Sequence, residues 1–232
     1  MTRGFVDIHS HFVYGLDDGA RTITEMETML DAAHADGVVS LFATPHVTPG
    51  VEPFDAAAFA SRMQEARSYC RKRGFEMQLF SGAEILYTPV LPQYIGQHSL
   101  PTLGDSSFVL LEFVPDVELR ELEGALALME RSGYKTILAH IERYGCLYRG
   151  RTAAKLKQRC DVRYQVNANT ILTDKGFFRT RKIRSWLKTG LVDFVASDAH
   201  DLNRRCFKMR RAFRTLKQQY GQLQAERLTG LR

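Results

Sequence analysis

Seven short apolar runs, near residues 6, 40, 78, 110, 137, 165 and 194, alternate with segments of helical period, and this alternation constrains the fold most. The run Val38 to Ala43 is nearly continuous, as suits a strand buried on both faces. Before it, Thr22 and Glu25 make a capping-box pattern, and Ile23, Met26, Met29, Leu30 and Ala33 recur at helical spacing until Gly37. Asp55 leads into an alanine-rich helix ending near Arg73, with Gly74 behind it. Further helices are expected from about Glu118 to Arg131, Thr152 to Arg159, Arg179 to Lys188 and Asn203 to Tyr220. Strands separated by helices of this length pair in parallel, because a parallel connection needs a crossover. The expectation is one α/β domain over residues 1–232, with a frayed tail from about 222. A barrel, closed or partly closed, and an open doubly wound sheet both fit. An open sheet gathers its site at one switch point, whereas a barrel draws on many strand ends.

Polar residues fall at nearly all of those ends. The first run leads into DIHSH, carrying His9 and His11 at alternate positions of an extended segment, which share a side. Asp18 follows in the next loop, beside Asp17. ATPH supplies His46, SGAE supplies Glu84 and LLEF supplies Glu112. AHIER carries His140, Glu142 and Arg143, and ASDAH carries Asp198 and His200. Taken singly, each has an ordinary explanation. A histidine after a strand is usually a hydrogen-bonded loop residue, Glu112 could be an edge carboxylate, and Asp198 could cap a helix. Their coincidence at one end of a parallel sheet is different, because packed imidazoles and carboxylates repel or stay unsatisfied unless cations neutralise them. His34 and His98 lack this context. Nitrogen and oxygen donors without thiolate suit Mn2+, Fe2+ or Zn2+, with Mg2+ least favoured by the histidines.

Other classes are disfavoured. Cys70, Cys146, Cys160 and Cys206 form no CxxC pair and no CxxxxxR phosphate cradle, so they read as reduced structural cysteines. No apolar stretch is long enough for a membrane span or signal-peptide core, which makes a cytoplasmic location the expectation. No glycine-rich dinucleotide fingerprint or P-loop follows a strand. The net charge is +6, with basic residues concentrated late: Arg179, Arg181, Lys182, Arg184, Arg204, Arg205, Lys208, Arg210 and Arg211. Phe207, Met209 and Phe213 interleave with them, which reads as a solvated helix face. No nucleic-acid partner is expected, since zinc-finger spacing and paired aromatics are missing. The helix bearing Met26, Met29 and Leu30 could pack on a second copy, although core burial explains it equally well, so a homo-oligomer is left open.

In order, DIHSHFVYGLDDG, ATPHVTPG, SGAEI, LLEF, AHIERY and VASDAH resemble the polymerase and histidinol phosphatase (PHP) metallohydrolases over nearly the whole chain. Within these, the chain is most similar to the bacterial manganese-dependent protein-tyrosine phosphatases of capsular and exopolysaccharide systems. The resemblance implies a distorted (β/α)7 TIM-like barrel and a centre of three ions, preferably Mn2+. It implies one ion on His9, His11, Glu84 and Asp198. Glu84 would bridge to a second on Glu112 and His140, and Asp18, His46 and His200 would hold the third. Arg143 would grip the phosphoryl group, with His46 and His200 also serving the chemistry. The implied substrate is a phosphotyrosine-bearing bacterial tyrosine autokinase, through its tyrosine-rich tail, which could recruit the protein to the inner membrane face. One departure is that Val47 stands directly after His46, where some relatives carry basic residues. The alternatives are a small-molecule phosphoesterase, of histidinol-phosphate or nucleotide type, and a non-catalytic metal-stabilised regulator. An arginine fork matches phosphate geometry, and hydrolysis through metal ions needs no cysteine nucleophile.

Overall fold

The computed structural model describes residues 3–231; residues 1, 2 and 232, the ends of the expected domain span, lie outside them. Strand β1 (Phe5–Ser10) is followed by α1 (Ile23–Asp36), β2 (Val38–Ala43), β3 (His46–Val47), α2 (Ala56–Arg73), β4 (Gln78–Ser81) and β5 (Glu84–Leu86). Then come α3 (Leu91–Ile95), β6 (Phe108–Glu112), α4 (Leu119–Arg131), β7 (Lys135–Leu138), α5 (Thr152–Arg159), β8 (Val162–Asn167) and α6 (Ala168–Leu172). The chain finishes with α7 (Phe177–Lys188), β9 (Phe194–Ala196), α8 (Met209–Tyr220) and α9 (Gln222–Thr229). Every ladder is parallel, in the orders β1-β2-β4 and β3-β5-β6-β7-β8-β9.

The seven apolar runs become nine strands among the described residues because two of them break. β2 and β3 are two halves of one track, as are β4 and β5. At the first break, Thr44 donates its N–H to the Ser10 carbonyl (2.8 Å), while the Pro45 carbonyl accepts from Glu84 N–H (3.0 Å). Proline has no N–H with which to continue a ladder, so the track changes partners there. Beyond it, His46 pairs in register with Glu84. The outer tracks meet through a bridge between Ser10 and Ala199. There His11 N–H donates to the Ala199 carbonyl (2.8 Å) and Asp198 N–H to the His9 carbonyl (2.9 Å). The result is a distorted seven-track (β/α) ring, as the resemblance implied.

Both faces of the strands are buried, with the period of two that a pleated strand requires. In β6, Val109 and Leu111 belong to the large cluster that also holds Met129 of α4, whereas Leu110 joins Ile8, Ile137, Ala139 and Ala196 in a smaller one. Met26, Met29 and Leu30 of α1 are fully buried within this chain, so no second copy is needed to cover them. At the α1 N-terminus, Glu25 N–H donates to Thr22 Oγ1 (3.2 Å), but the Glu25 carboxylate takes the Arg21 N–H (2.7 Å) rather than completing the box on Thr22.

Two expectations need correction. Helix α8 begins at Met209, not Asn203, because the Asp201 carboxylate accepts N–H groups of Asn203, Arg204 and Arg205 and holds them in a loop. The tail from 222 is not frayed. It forms α9, whose Ala225, Leu228 and Thr229 are buried, with α9 lying against β1 and β9. No helix among the described residues is long and apolar enough to cross a membrane. Leu228→Ala should therefore lower stability by about 2–4 kcal/mol, read as a fall in the urea midpoint; an unchanged midpoint would return the tail to a passive role.

Candidate metal centre

All nine expected donors converge at the C-terminal ends of the strands. Three overlapping groups each bring one donor atom per residue within 4.8 Å of the others: His9, His11, Glu84 and Asp198; His11, Asp18, His46 and His200; and His46, Glu84 and Glu112. The first group contains the residues the resemblance implied for one ion. His140 adjoins the third group, its Nε2 lying 2.6 Å from Glu84 Oε1 and 3.3 Å from Glu112 Oε1. His46 Nδ1 also approaches this pair, at 3.1 Å from Glu84 Oε2 and 3.6 Å from Glu112 Oε2, which the resemblance did not anticipate. The floor is dry, with His9, His11, Glu84 and His140 buried, while Asp18 (side chain 61% exposed) and His46 (33%) mark the mouth.

Glu84 is the centre of this arrangement. Its Oε2 lies 3.1 Å from His9 Nε2, 3.3 Å from His11 Nε2 and 3.1 Å from His46 Nδ1, yet makes no hydrogen bond among the described residues. His200 Nε2, which lies 3.2 Å from Asp18 Oδ1, and His140 Nδ1 are likewise buried and make no hydrogen bond among the described residues. Burial alone would raise the Glu84 pKa, but the imidazoles of His9 and His140 outweigh it and hold the carboxyl well below its usual range. Burial opposes charge on His11 as well, and Asp17 and Glu84 overcome it, lifting His11 to about 10. By the same balance, against Glu84 and Glu112, His140 rises to about 9. His200 goes the other way. Burial, and then the charge on His11, whose ring stacks 3.6 Å away, push it down to about 2. Donors this crowded, with unshared lone pairs turned inward, form a set that divalent cations fit.

Several supporting residues escaped the sequence reading. Asp17, not only Asp18, belongs to the site: its carboxylate accepts from His11 Nδ1 (2.6 Å), from His46 N–H (2.9 Å) and from Gly19 N–H (2.9 Å). Gly19 lets this loop lie flat on His11, since a Cβ there would sit 2.1 Å from the His11 carbonyl oxygen. Strand β8, to which no site residue was assigned, contributes a polar relay. Gln165 Oε1 accepts from His140 N–H (2.7 Å) and faces His9 Nδ1 (3.3 Å), Gln165 Nε2 donates to Asn167 (2.8 Å), and Asn167 Nδ2 donates to Asp198 (2.6 Å). The signal was present in Tyr-Gln-Val-Asn, which puts two amides at alternate positions of a buried strand. Asp7 Oδ1 accepts from Ser197 N–H (2.9 Å), and burial raises its pKa to about 6. Glu142 turns its Oε1 inward to Asn167 N–H and the Thr170 hydroxyl (both 2.9 Å).

Among the described residues, His140 (φ 29°) and Asp198 (φ 53°) are the non-glycine residues with positive φ, and both lie in the site. Such conformations persist where surrounding bonds over-determine them. Arg143 bridges Glu112 (3.4 Å) and Asp198 (2.8 Å) at the mouth. Arg205 makes a matching bridge, to Asp18 (3.1 Å) and Asp198 (3.0 Å). It is therefore a site residue, not part of a solvated helix face. A cavity of about 290 Å³ opens beside Arg143 and Asp198. Val47 is buried and pairs with Ile85 in β5. Burial raises the Cys70 thiol to about 11, which disfavours a thiolate. His34 stacks on Phe75, and His98 packs against Tyr94 with tilted rings, both outside the donor cluster.

Parallel βα units that gather imidazoles and carboxylates at their strand ends define an α/β protein of TIM-barrel type with a metal-type donor cluster. The chain belongs to the CpsB/CapC family of capsular polysaccharide synthesis, which it matches over residues 5–230. It is 28% identical over 228 residues to the tyrosine-protein phosphatase CpsB of Streptococcus pneumoniae, covering 96% of this chain and 94% of that protein. With the tyrosine-protein phosphatase YwqE of Bacillus subtilis (strain 168) it shares 26% over 220 residues, 93% of this chain and 85% of the other. A crystal structure from work on YwqE and CpsB, described as unique metal-dependent tyrosine phosphatases, matches with a TM-score of 0.85 and 26% identity over 97% of this chain and 91% of that one. Dihydropyrimidinase from Brevibacillus agri, at a TM-score of 0.62 and 13% identity over 98% of this chain and 69% of the other, shares the fold alone.

Burial would raise the Asp17 pKa, but the bond to His11 overrides it and holds the carboxyl near 2, below its ordinary 3.8. Its contribution to stability is then complete above pH 3.8 and is lost as the pH falls through about 2. Asp17→Asn should lower the stability of metal-free protein by about 2 kcal/mol at pH 7. Urea titrations of the two proteins should converge as the pH drops toward 2; a gap independent of pH would mean that the charge on Asp17 is not what matters.

Proposed function

We propose that this protein is a divalent-metal-dependent protein-tyrosine phosphatase whose nine converging donors hold three ions. One observation carries the reading: the fully buried carboxylate of Glu84 faces three imidazoles with an unbonded oxygen. Leaving such a group uncompensated costs several kcal/mol, and shared cations remove that penalty. His9, His11, Glu84 and Asp198 would hold one ion, and Glu84, Glu112 and His140 a second, with His46 adjoining. Asp18, His46 and His200 would hold the third. Mn2+ is the first choice on donor chemistry, with Fe2+ and Zn2+ also suited and Mg2+ least. When bound, such ions supply Lewis-acid polarisation of a phosphoryl oxygen and a water acidic enough to attack near neutral pH.

The chain's own residues supply orientation and charge. Asp17 accepts a hydrogen bond from His11 Nδ1–H, which leaves Nε2 to donate its lone pair, and Gln165 fixes the main chain at His140. His200, kept neutral by burial, is suited to ligation and unsuited to giving up a proton. Arg143 and Arg205 are each anchored on carboxylates of the centre, which aims their remaining N–H groups at the mouth for the equatorial oxygens of a phosphoryl group. Phenolate leaves readily enough that proton delivery matters less than charge neutralisation.

The names of the relatives support phosphotyrosine over histidinol phosphate, a nucleotide or a purely regulatory role. The family's connection with capsular polysaccharide synthesis supports a bacterial tyrosine kinase tail as the substrate, met in the cytoplasm at the inner membrane face. Purified protein should hydrolyse p-nitrophenyl phosphate and phosphotyrosine peptides with added Mn2+, stop on chelation, and keep its rate after thiol alkylation. His140→Ala should lose bound metal together with turnover, and Arg143→Ala should lower kcat by about 10²–10³. Turnover that persists with no metal detectable in the protein would end the proposal. Faster turnover of histidinol phosphate than of any phosphotyrosine peptide would move it to the small-molecule class.

A further inference from the structure

The cavity beside Arg143 is also lined by Lys175 and Arg179, at the start of α7, and by Arg204, in the loop before α8. Arg143 and Arg205 are held by carboxylates of the centre. Lys175, Arg179 and Arg204 are exposed, and among the described residues none makes a side-chain ion pair. The nearby acids make hydrogen bonds of their own, although Glu142 Oε2 is buried with no hydrogen-bond partner among the described residues. Asp198 is engaged by Arg143, Arg205 and Asn167, and Glu142 Oε1 by Asn167 N–H and Thr170. Asp174 accepts from Gly176 N–H and the Thr180 hydroxyl, while Asp201 takes the amides of residues 203 to 205. The Arg179 guanidinium lies over the ring of Tyr148, 5.4 Å from its centroid, so one of these cations is braced on an aromatic wall of the cavity.

Around this cavity five cations, Arg143, Lys175, Arg179, Arg204 and Arg205, face two carboxylates, Glu142 and Asp198, and the excess positive charge creates a field that an anion relieves. The scissile phosphoryl group is already matched by Arg143, Arg205 and the donor cluster. The extra charge therefore exceeds what a single phosphate monoester needs. Building on the phosphatase reading, we propose that Lys175, Arg179 and Arg204 form a subsite for a second anionic group of a phosphotyrosine peptide. That group is an acidic side chain or another phosphoryl group close to the scissile one. A small ester such as p-nitrophenyl phosphate carries nothing that could occupy it.

One exposed ion pair typically shifts an equilibrium constant by about twofold, so three together give roughly tenfold, weakening as salt screens them. The test uses the full-length, Mn2+-loaded protein and three phosphotyrosine peptides of equal length, flanked by glutamine, by glutamate or by phosphoserine. The charged flanks should raise kcat/KM by about five- to tenfold over glutamine, through KM and not kcat, and lose that advantage in 0.5 M salt. Whichever charged flank gains more identifies the carboxylate or the phosphoryl group as the better occupant. In Lys175→Ala/Arg179→Ala/Arg204→Ala the preference should collapse to about one, and in the single variant Arg179→Glu, which leaves the subsite at +1, the preference for the glutamate flank should fall to about twofold. Equal kcat/KM for the three peptides, or a preference that survives undiminished in both variants, overturns the subsite alone. No turnover of any peptide overturns the phosphatase reading and the subsite with it.

Discussion

A carboxylate enclosed by imidazoles is the constraint on which the rest of this structure depends. Glu84 is inaccessible to solvent and within 3.3 Å of ring nitrogens from three separate segments. In the absence of cations that cluster is held together by protons, which is why His11 and His140 are so strongly basic while Glu84 is so strongly acidic. Histidine must be neutral to ligate, so under the proposed function a metal ion would take the place of a proton at these positions. The site is thus stabilised in either state by positive charge placed between its donors.

The barrel is distorted in ways that serve this centre. Breaking two of the seven tracks puts His46 and Glu84 into short strands of their own, side by side in register. The seam between the first and last tracks is made by the segments that carry His9, His11 and Asp198, three of the four residues of the first donor group. Positive φ at His140 and Asp198 is tolerated because Gln165 and the His9 carbonyl fix the adjacent amides. The bond from Ser197 N–H to Asp7, across 190 residues, locks the same seam beneath the site.

Above the metal-type donors, charge is layered. Asp18, His46, Arg143 and Arg205 form a partly exposed tier in which each arginine is pinned by two carboxylates. A phosphoryl group entering this tier meets preorganised donors that need not rearrange. The basic late segments, which suggested only a solvated helix, divide in the structure. Arg205 belongs to that tier, Lys175, Arg179 and Arg204 line the neighbouring cavity, and Arg210 and Arg211 stay on the exposed side of α8 while Met209, Ala212 and Leu216 are buried.

The parallel βα order, the seven tracks and the nine side chains that converge at the strand ends were legible in the sequence, because residue type at the end of an apolar run is a local property. The ordered α9 was not, since an eight-residue amphipathic helix is stable only through the surface it covers. Nor were Asp17, Gln165, Asn167 and Arg205, whose types are common in loops and strand ends. They acquire meaning only from what they touch, such as Arg205 reaching Asp18 across 187 residues. The amino-acid order by itself thus determined which chemical groups arrive at the strand ends. The tertiary structure decided which donors share a neighbour, where the tracks break and which arginines face the mouth. Those outcomes depend on separations of a few ångströms between distant segments, and closure of the ring sets them.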